Sequence, residues 1–115
     1  MRANIYGKSS EIIASNYLKE LGYKILQTNY KNSIGEIDII AKDGEYIVFV
    51  EVKARTSRAF GDPLEAIDER KILKIHNVAT MYLKQTRQLD HKCRFDAVSI
   101  LGRDDYEIRH IKDAF

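Results

Sequence analysis

The sequence predicts an α/β domain in which two helices pack on one mixed sheet, and three observations carry that prediction. An apolar stripe at helical spacing, Ile13, Ala14, Tyr17, Leu18 and Leu21, precedes a set of strand-like runs. An Asp43-Gly44 pair between two such runs marks a hairpin. A second helical pattern, with Ala66, Ile67, Ile75, Val78, Ala79 and Tyr82 on its core face, separates three predicted strands from two. The predicted order is helix, strand, strand, strand, helix, strand, strand.

Each element has its own signals. Ser9 and Ser10 are N-cap residue types, and the first helix is expected from there to about Leu21, where Gly22 supplies the left-handed residue that ends many helices. Tyr23 to Tyr30 reads as the first strand and Lys31 to Gly35 as a turn. Glu36 to Lys42 and the β-branched stretch Glu45 to Ala54 form the arms of the hairpin. Asp62 can cap a second helix and Pro63 fits its first position, so that helix is expected to run on to about Gln85. Arg87 to His91 is a polar break, and Cys93 to Leu101 and Tyr106 to Lys112 are strands around a Gly102-Arg103-Asp104-Asp105 turn.

The 115 residues suit one domain over 1–115, with no repeat and no low-complexity tract. A composition of 44% apolar and 31% charged residues is that of an ordinary globular protein. The longest apolar run, Tyr46 to Val50, is far too short to cross a membrane. Met1-Arg2-Ala3-Asn4 has no signal-peptide character, so a cytoplasmic location is expected. Cys93 is the single cysteine; it excludes an internal disulfide and, at the head of an apolar stretch, reads as a buried thiol. His76, His91 and His110 are scattered without zinc-type spacing. The net charge of +2 does not argue for nucleic acid by itself, although Lys53, Arg55 and Arg58 form a short basic run.

One strand carries a contradiction. Val48, Phe49, Val50 and Val52 make it apolar on both faces, as a covered central strand is, yet Glu51 interrupts the run. A carboxylate there is costly unless a cation or hydrogen bonds compensate it. Lys53 projects from the same face about 6–7 Å further on. If the hairpin closes with an even-numbered loop in which Lys42 pairs with Glu45, Asp38 faces Phe49 and is a diagonal neighbour of Glu51, about 7–8 Å away. Two carboxylates and an ammonium on one face suit metal-assisted phosphodiester hydrolysis. Mg²⁺ takes oxygen ligands and uses one or two carboxylates, and Lys53 would position water or offset developing charge. Like charges sharing a face also predict that Asp38→Asn or Glu51→Gln stabilises the metal-free protein. The competing reading is a Glu51–Lys53 structural ion pair.

Gly35-Glu36-Ile37-Asp38 followed by Val48-Phe49-Val50-Glu51-Val52-Lys53 resembles the PD-(D/E)xK nuclease superfamily, and within it the YraN family of small bacterial proteins. The similarity extends over nearly the whole chain, through Leu21-Gly22-Tyr23-Lys24-Ile25-Leu26, Asn29-Tyr30, Lys71, Arg94-Phe95-Asp96 and Ala114-Phe115. Gly7 to Glu11 and the Glu-x-Lys strand also look like archaeal Holliday-junction resolvases. The resemblance implies a restriction-endonuclease-like core, a Mg²⁺- or Mn²⁺-dependent endonuclease with Asp38, Glu51 and Lys53 as catalytic residues, and Glu11 as a third metal ligand beside Asp38 and Glu51. It also implies DNA, including branched DNA, as substrate, and a homodimer. Ile37 stands in place of the motif's proline, and Ser10 where YraN-type sequences often have glycine; neither touches the chemistry. Glu11 has an alternative role as a favourable charge at a helix N-terminus, and Glu36 as a strand-end charge. Arg55, Arg58 and Lys71 are the candidate phosphate contacts. The alternative function is a nucleic-acid-binding or protein-interaction module of the same fold with a silent site.

Overall fold

The computed structural model describes residues 8–57, 59 and 61–115. The order is α1 (Lys8–Glu20), β1 (Lys24–Lys31), β2 (Glu36–Asp43), β3 (Tyr46–Arg55), α2 (Glu69–Gln85), β4 (Cys93–Leu101) and β5 (Glu107–Ile111). The five strands form one mixed sheet in the order β1-β2-β3-β4-β5. Pairing is antiparallel except between β3 and β4, which run parallel and are joined through α2. The helix–strand order and the mixed sheet are those the sequence predicts.

The alternation of β3 divides its side chains between two cores. Ile47 and Phe49 join Ile40 and the α2 residues Ile75, Val78, Ala79, Tyr82 and Leu83. Val48 and Val50 join Ile39, Ala41, Val98 and the α1 residues Ala14 and Leu18. Helices therefore cover opposite faces, and β3 is the covered central strand its composition implies.

Four expectations need correction. Ser9 and Ser10 lie inside α1 instead of capping it, because the helix already begins at Lys8. Leu21 is 50% exposed; it lies beyond the last helical residue, where the chain turns away through Gly22 at φ +97°. That turn is the expected left-handed ending, with Gly22 N–H donating to Lys19 O and Tyr23 N–H to Leu18 O. The second helix is interrupted. Asp62 and Pro63 do start a helical turn, closed by Leu64 N–H donating to Asp62 and Asp62 N–H to Glu65, but it is a 3-10 turn spanning only Pro63–Ala66. Ile67 and Asp68 are extended, and Asp68 caps α2 anew by accepting from Lys71 N–H at 2.9 Å. Cys93 is exposed, not buried, since it is the first residue of β4, ahead of the stretch the helices cover.

The hairpin register also differs from expectation. Asp43 pairs with Tyr46, Lys42 with Ile47 and Ile39 with Val50. The two-residue loop is therefore Gly44-Glu45, with Gly44 at φ +59° in the first loop position, as a type II′ turn requires. The shift is by two residues, so every side chain keeps its predicted face.

Candidate functional site

The site lies where β2 and β3 part. Their ladder extends to Ile39 and Val50, and one further step in that register sets Asp38 across from Glu51. At that point the Asp38 side chain takes the role of a backbone acceptor, with Val52 N–H donating to its Oδ2 at 2.8 Å. The two carboxylates are thus direct neighbours, closer than the diagonal arrangement predicted from the sequence.

Glu51 is only 5% exposed, between Val50 and Val52 on the face covered by α2. Among the described residues its compensation comes from two ammonium groups. Lys71 Nζ stands 2.9 Å from Glu51 Oε2, and Lys53 Nζ stands 3.6 Å from the same oxygen. The nearer partner is the lysine from the helix, not the one in the Glu-x-Lys motif. Among the described residues no ammonium stands within ion-pair distance of Asp38, and Lys53 and Lys71 act on it only from further off. Burial, and then the negative charge of Glu51 facing it, push its carboxyl up to about 7, against the pull of the Val52 hydrogen bond; Glu11 adds a smaller push. Burial and the neighbouring Lys71 lower the pKa of Lys53. Lys71 goes up: burial works against the rise, but its hydrogen bond to Glu51 outweighs that.

A cavity of about 430 Å³ opens over these groups, lined by Asp38, Glu51, Glu36, Lys71, Lys74 and Lys31 with Asn32, Gly35 and Ile75. Gly35 lets α2 approach, because a Cβ there would lie 3.0 Å from Lys74 Cε and 3.3 Å from Val78 Cγ2. Lys71, Lys74 and Ile75 share one face of α2 at spacings of three and four. That spacing, together with the turn from Lys31 to Gly35, was the sequence signal for Lys31 and Lys74, neither of which was singled out. Glu36 lines the cavity and stands 3.8 Å from Lys31 in an exposed pair.

The remaining candidates lie around this centre. Glu11, in the first turn of α1, lines a different cavity with Ser15, Asn16, Lys19 and Thr28. Arg55 ends β3, half-buried, with its guanidinium donating to Ala54 O at 3.2 Å, and does not line the cavity. Arg58 lies outside the described residues. Among the described residues no group of three His, Cys, Asp or Glu side chains is gathered closely enough to hold a metal ion. The donor set at the centre is the pair Asp38 and Glu51, which fits Mg²⁺ in its usual mode of one or two carboxylates with the remaining positions left to water and phosphate.

A second polar cluster occupies the opposite face. Asp96, fully buried, accepts from Arg94 Nε at 2.8 Å and Nη2 at 3.0 Å, from Asp113 N–H, and pairs with His110 Nε2 at 2.7 Å. Arg94 also reaches Asp43 and Tyr23, and His110 Nδ1 lies 3.2 Å from Tyr17 Oη. Burial alone would raise the Asp96 pKa, but the His110 and Arg94 contacts outweigh it and hold the carboxyl at about 2. Every polar partner is satisfied, so this cluster ties β2, β4, β5 and the chain after β5 together.

Residues 10–100 match the family model for the uncharacterised protein family UPF0102. The chain is 48% identical over 111 residues to a UPF0102 protein of Syntrophus aciditrophicus, covering 95% of this chain and 87% of the relative. It is 42% identical over 112 residues to one from Clostridium kluyveri, covering 95% and 92%, and 44% identical over 110 residues to one from Desulfosudis oleivorans, covering 96% and 89%. The chain belongs to the UPF0102 family, the YraN-like group that its motifs resemble.

Proposed function

We propose that this UPF0102 protein is a metal-dependent nuclease of the PD-(D/E)xK type, hydrolysing phosphodiester bonds of DNA at the Asp38–Glu51 pair. The observation that carries this reading is the pair itself. Two carboxylates from adjacent strands face each other in a cavity ringed by lysines, and Asp38 is pushed up to about 7 by burial and by Glu51. A carboxylate held against burial and a facing like charge marks a candidate functional group, and a cation shared with Glu51 would relieve it. The sheet order and the covered central strand agree with a restriction-endonuclease-like core.

Mg²⁺ or Mn²⁺ held by Asp38 and Glu51 would polarise a phosphate oxygen and make an attacking water more acidic. The chain's own groups do the rest. The Val52 N–H fixes the orientation of Asp38. Lys53, half-buried beside Glu51, orients water and offsets charge developing on the phosphate. Lys31 and Lys74 at the cavity mouth contact flanking phosphates, an affinity without sequence reading, and Arg55 extends that surface along β3. Glu11, whose charge reaches Asp38, enters as an outer carboxylate. Symmetric cleavage of branched DNA would call for a homodimer.

One observation favours a second reading, a DNA-binding module with a silent site: Glu51 is already paired with two ammonium groups. Incubating linear, single-stranded, flapped and four-way DNAs with the protein and Mg²⁺ or Mn²⁺ separates the two. The nuclease reading expects cleavage to be largely lost in Glu51→Gln and Asp38→Asn, which remove the carboxylates that would hold the metal. Tight binding without cleavage selects the module, and cleavage persisting in Glu51→Gln removes the nuclease assignment.

A further inference from the structure

We infer that Lys71 is an exchangeable counter-ion: its ammonium holds Glu51 in the metal-free protein, yields that oxygen to a divalent cation, and then contacts a phosphate of the DNA. The inference rests on the nuclease reading and assigns Lys71 a positioning role within it. Three features of the geometry support it.

The first is where Lys71 is rooted. It sits in the first turn of α2, and its backbone N–H is tied to the Asp68 cap at 2.9 Å, so the main chain is fixed while the four-carbon stem is free to turn. The second is access. Both lysines address the same Glu51 oxygen, but the Lys71 side chain is 41% exposed and lines the cavity, whereas that of Lys53 is 21% exposed and does not. Lys71 alone of the two can withdraw without leaving the site. The third is charge. Asp38 and Glu51 are balanced by Lys53 and Lys71, so a divalent cation arriving between the carboxylates leaves an excess of positive charge. That excess repels the nearest mobile ammonium. It is relieved when a polyanion enters the cavity that Lys71 lines with Lys74 and Lys31, and the ammonium leaves Glu51 for a phosphate oxygen. Metal and DNA would then each favour the other's binding.

The test is Mn²⁺ titration calorimetry on the native protein, Lys71→Met, Lys71→Arg and Glu51→Gln, followed by affinity for an uncleaved DNA in Ca²⁺. Lys71→Gln serves as a second neutral variant. We expect Mn²⁺ to bind the neutral variants about tenfold more tightly than native protein, a modest factor because the lysine is partly exposed. The neutral variants should also bind DNA several-fold more weakly in Ca²⁺, with no such loss in its absence. Lys71→Arg restores native-like values for both, and Glu51→Gln abolishes Mn²⁺ binding. Equal Mn²⁺ affinity in native and neutral variants overturns the exchange while leaving the metal site standing. Tighter Mn²⁺ binding with unchanged DNA affinity overturns the transfer to phosphate. Absence of Mn²⁺ binding from native protein and neutral variants alike overturns the nuclease reading together with the inference.

Discussion

Asp38→Asn should make the metal-free protein more stable, and the gain should depend on pH in a defined way. In the fold the Asp38 carboxyl stands at about 7, against 3.8 for the free side chain, because of burial and the facing Glu51 charge. Below pH 3.8 the group is protonated folded and unfolded, and nothing is lost. Between 3.8 and 7 the unfolded chain releases a proton that the folded protein keeps, so stability falls as pH rises; above 7 the deficit is constant. That displacement corresponds to about 4 kcal/mol at most. Since Glu51 shares the charge and Lys53 and Lys71 moderate it, roughly 2 kcal/mol is the working figure. Asparagine keeps an oxygen for Val52 N–H and carries no charge. Melting followed by circular dichroism in chelator should therefore place Asp38→Asn roughly 6–10 °C above native protein at pH 8, with the difference closing toward pH 4. A melting point at or below native at pH 8, or a gain that does not shrink on acidification, would refute the account of the pair.

Glu51→Gln should act oppositely, losing roughly 1–2 kcal/mol in urea denaturation with chelator present, because it leaves the ammonium groups of Lys53 and Lys71 without their shared carboxylate. Native protein should gain stability from Mg²⁺, roughly 2.7 kcal/mol at a hundredfold excess over the dissociation constant, and thermal melting should show that gain largely absent from both variants. Asp96→Asn should cost roughly 3 kcal/mol by breaking a buried charged cluster. Because the Asp96 carboxyl is held at about 2, its contribution is present above the ordinary 3.8 and lost as pH falls through about 2, so acid titration should unfold Asp96→Asn at a higher pH than native protein. Replacing Lys31 and Lys74 together with alanine should lower the salt slope of DNA binding by about two phosphate contacts, whereas Arg55→Ala should change it by one at most, read by fluorescence anisotropy at several salt concentrations.

Much of the fold was legible because its signals are local. Gly22, the β-branched arms of the hairpin and the alternation of β3 each specify their own conformation, and the order of elements follows. The interruption before α2 was not, because Asp62-Pro63 is a complete start signal and nothing in the periodicity marks the second cap at Asp68. The hairpin shows the same limit. Asp43-Gly44 fits either loop, and only pairing across β2 and β3 selects Gly44-Glu45. Asp38 and Glu51 were visible as a pair because parity survives a two-residue slip. Lys71 as the closest partner of Glu51 was not, since it comes from a helix far along the chain, and with it the expected sign for Glu51→Gln changes.

The central claim is that Asp38 and Glu51 share a divalent cation. Anomalous diffraction from crystals of the native protein soaked in Mn²⁺, compared with crystals of Glu51→Gln treated identically, tests it most directly. The account predicts an anomalous peak between the Asp38 and Glu51 carboxylates, with the Lys71 ammonium withdrawn from Glu51, and no peak in the variant. Well-ordered native crystals with no peak at that pair, or with Lys71 still bound to Glu51 and manganese located elsewhere, would contradict it.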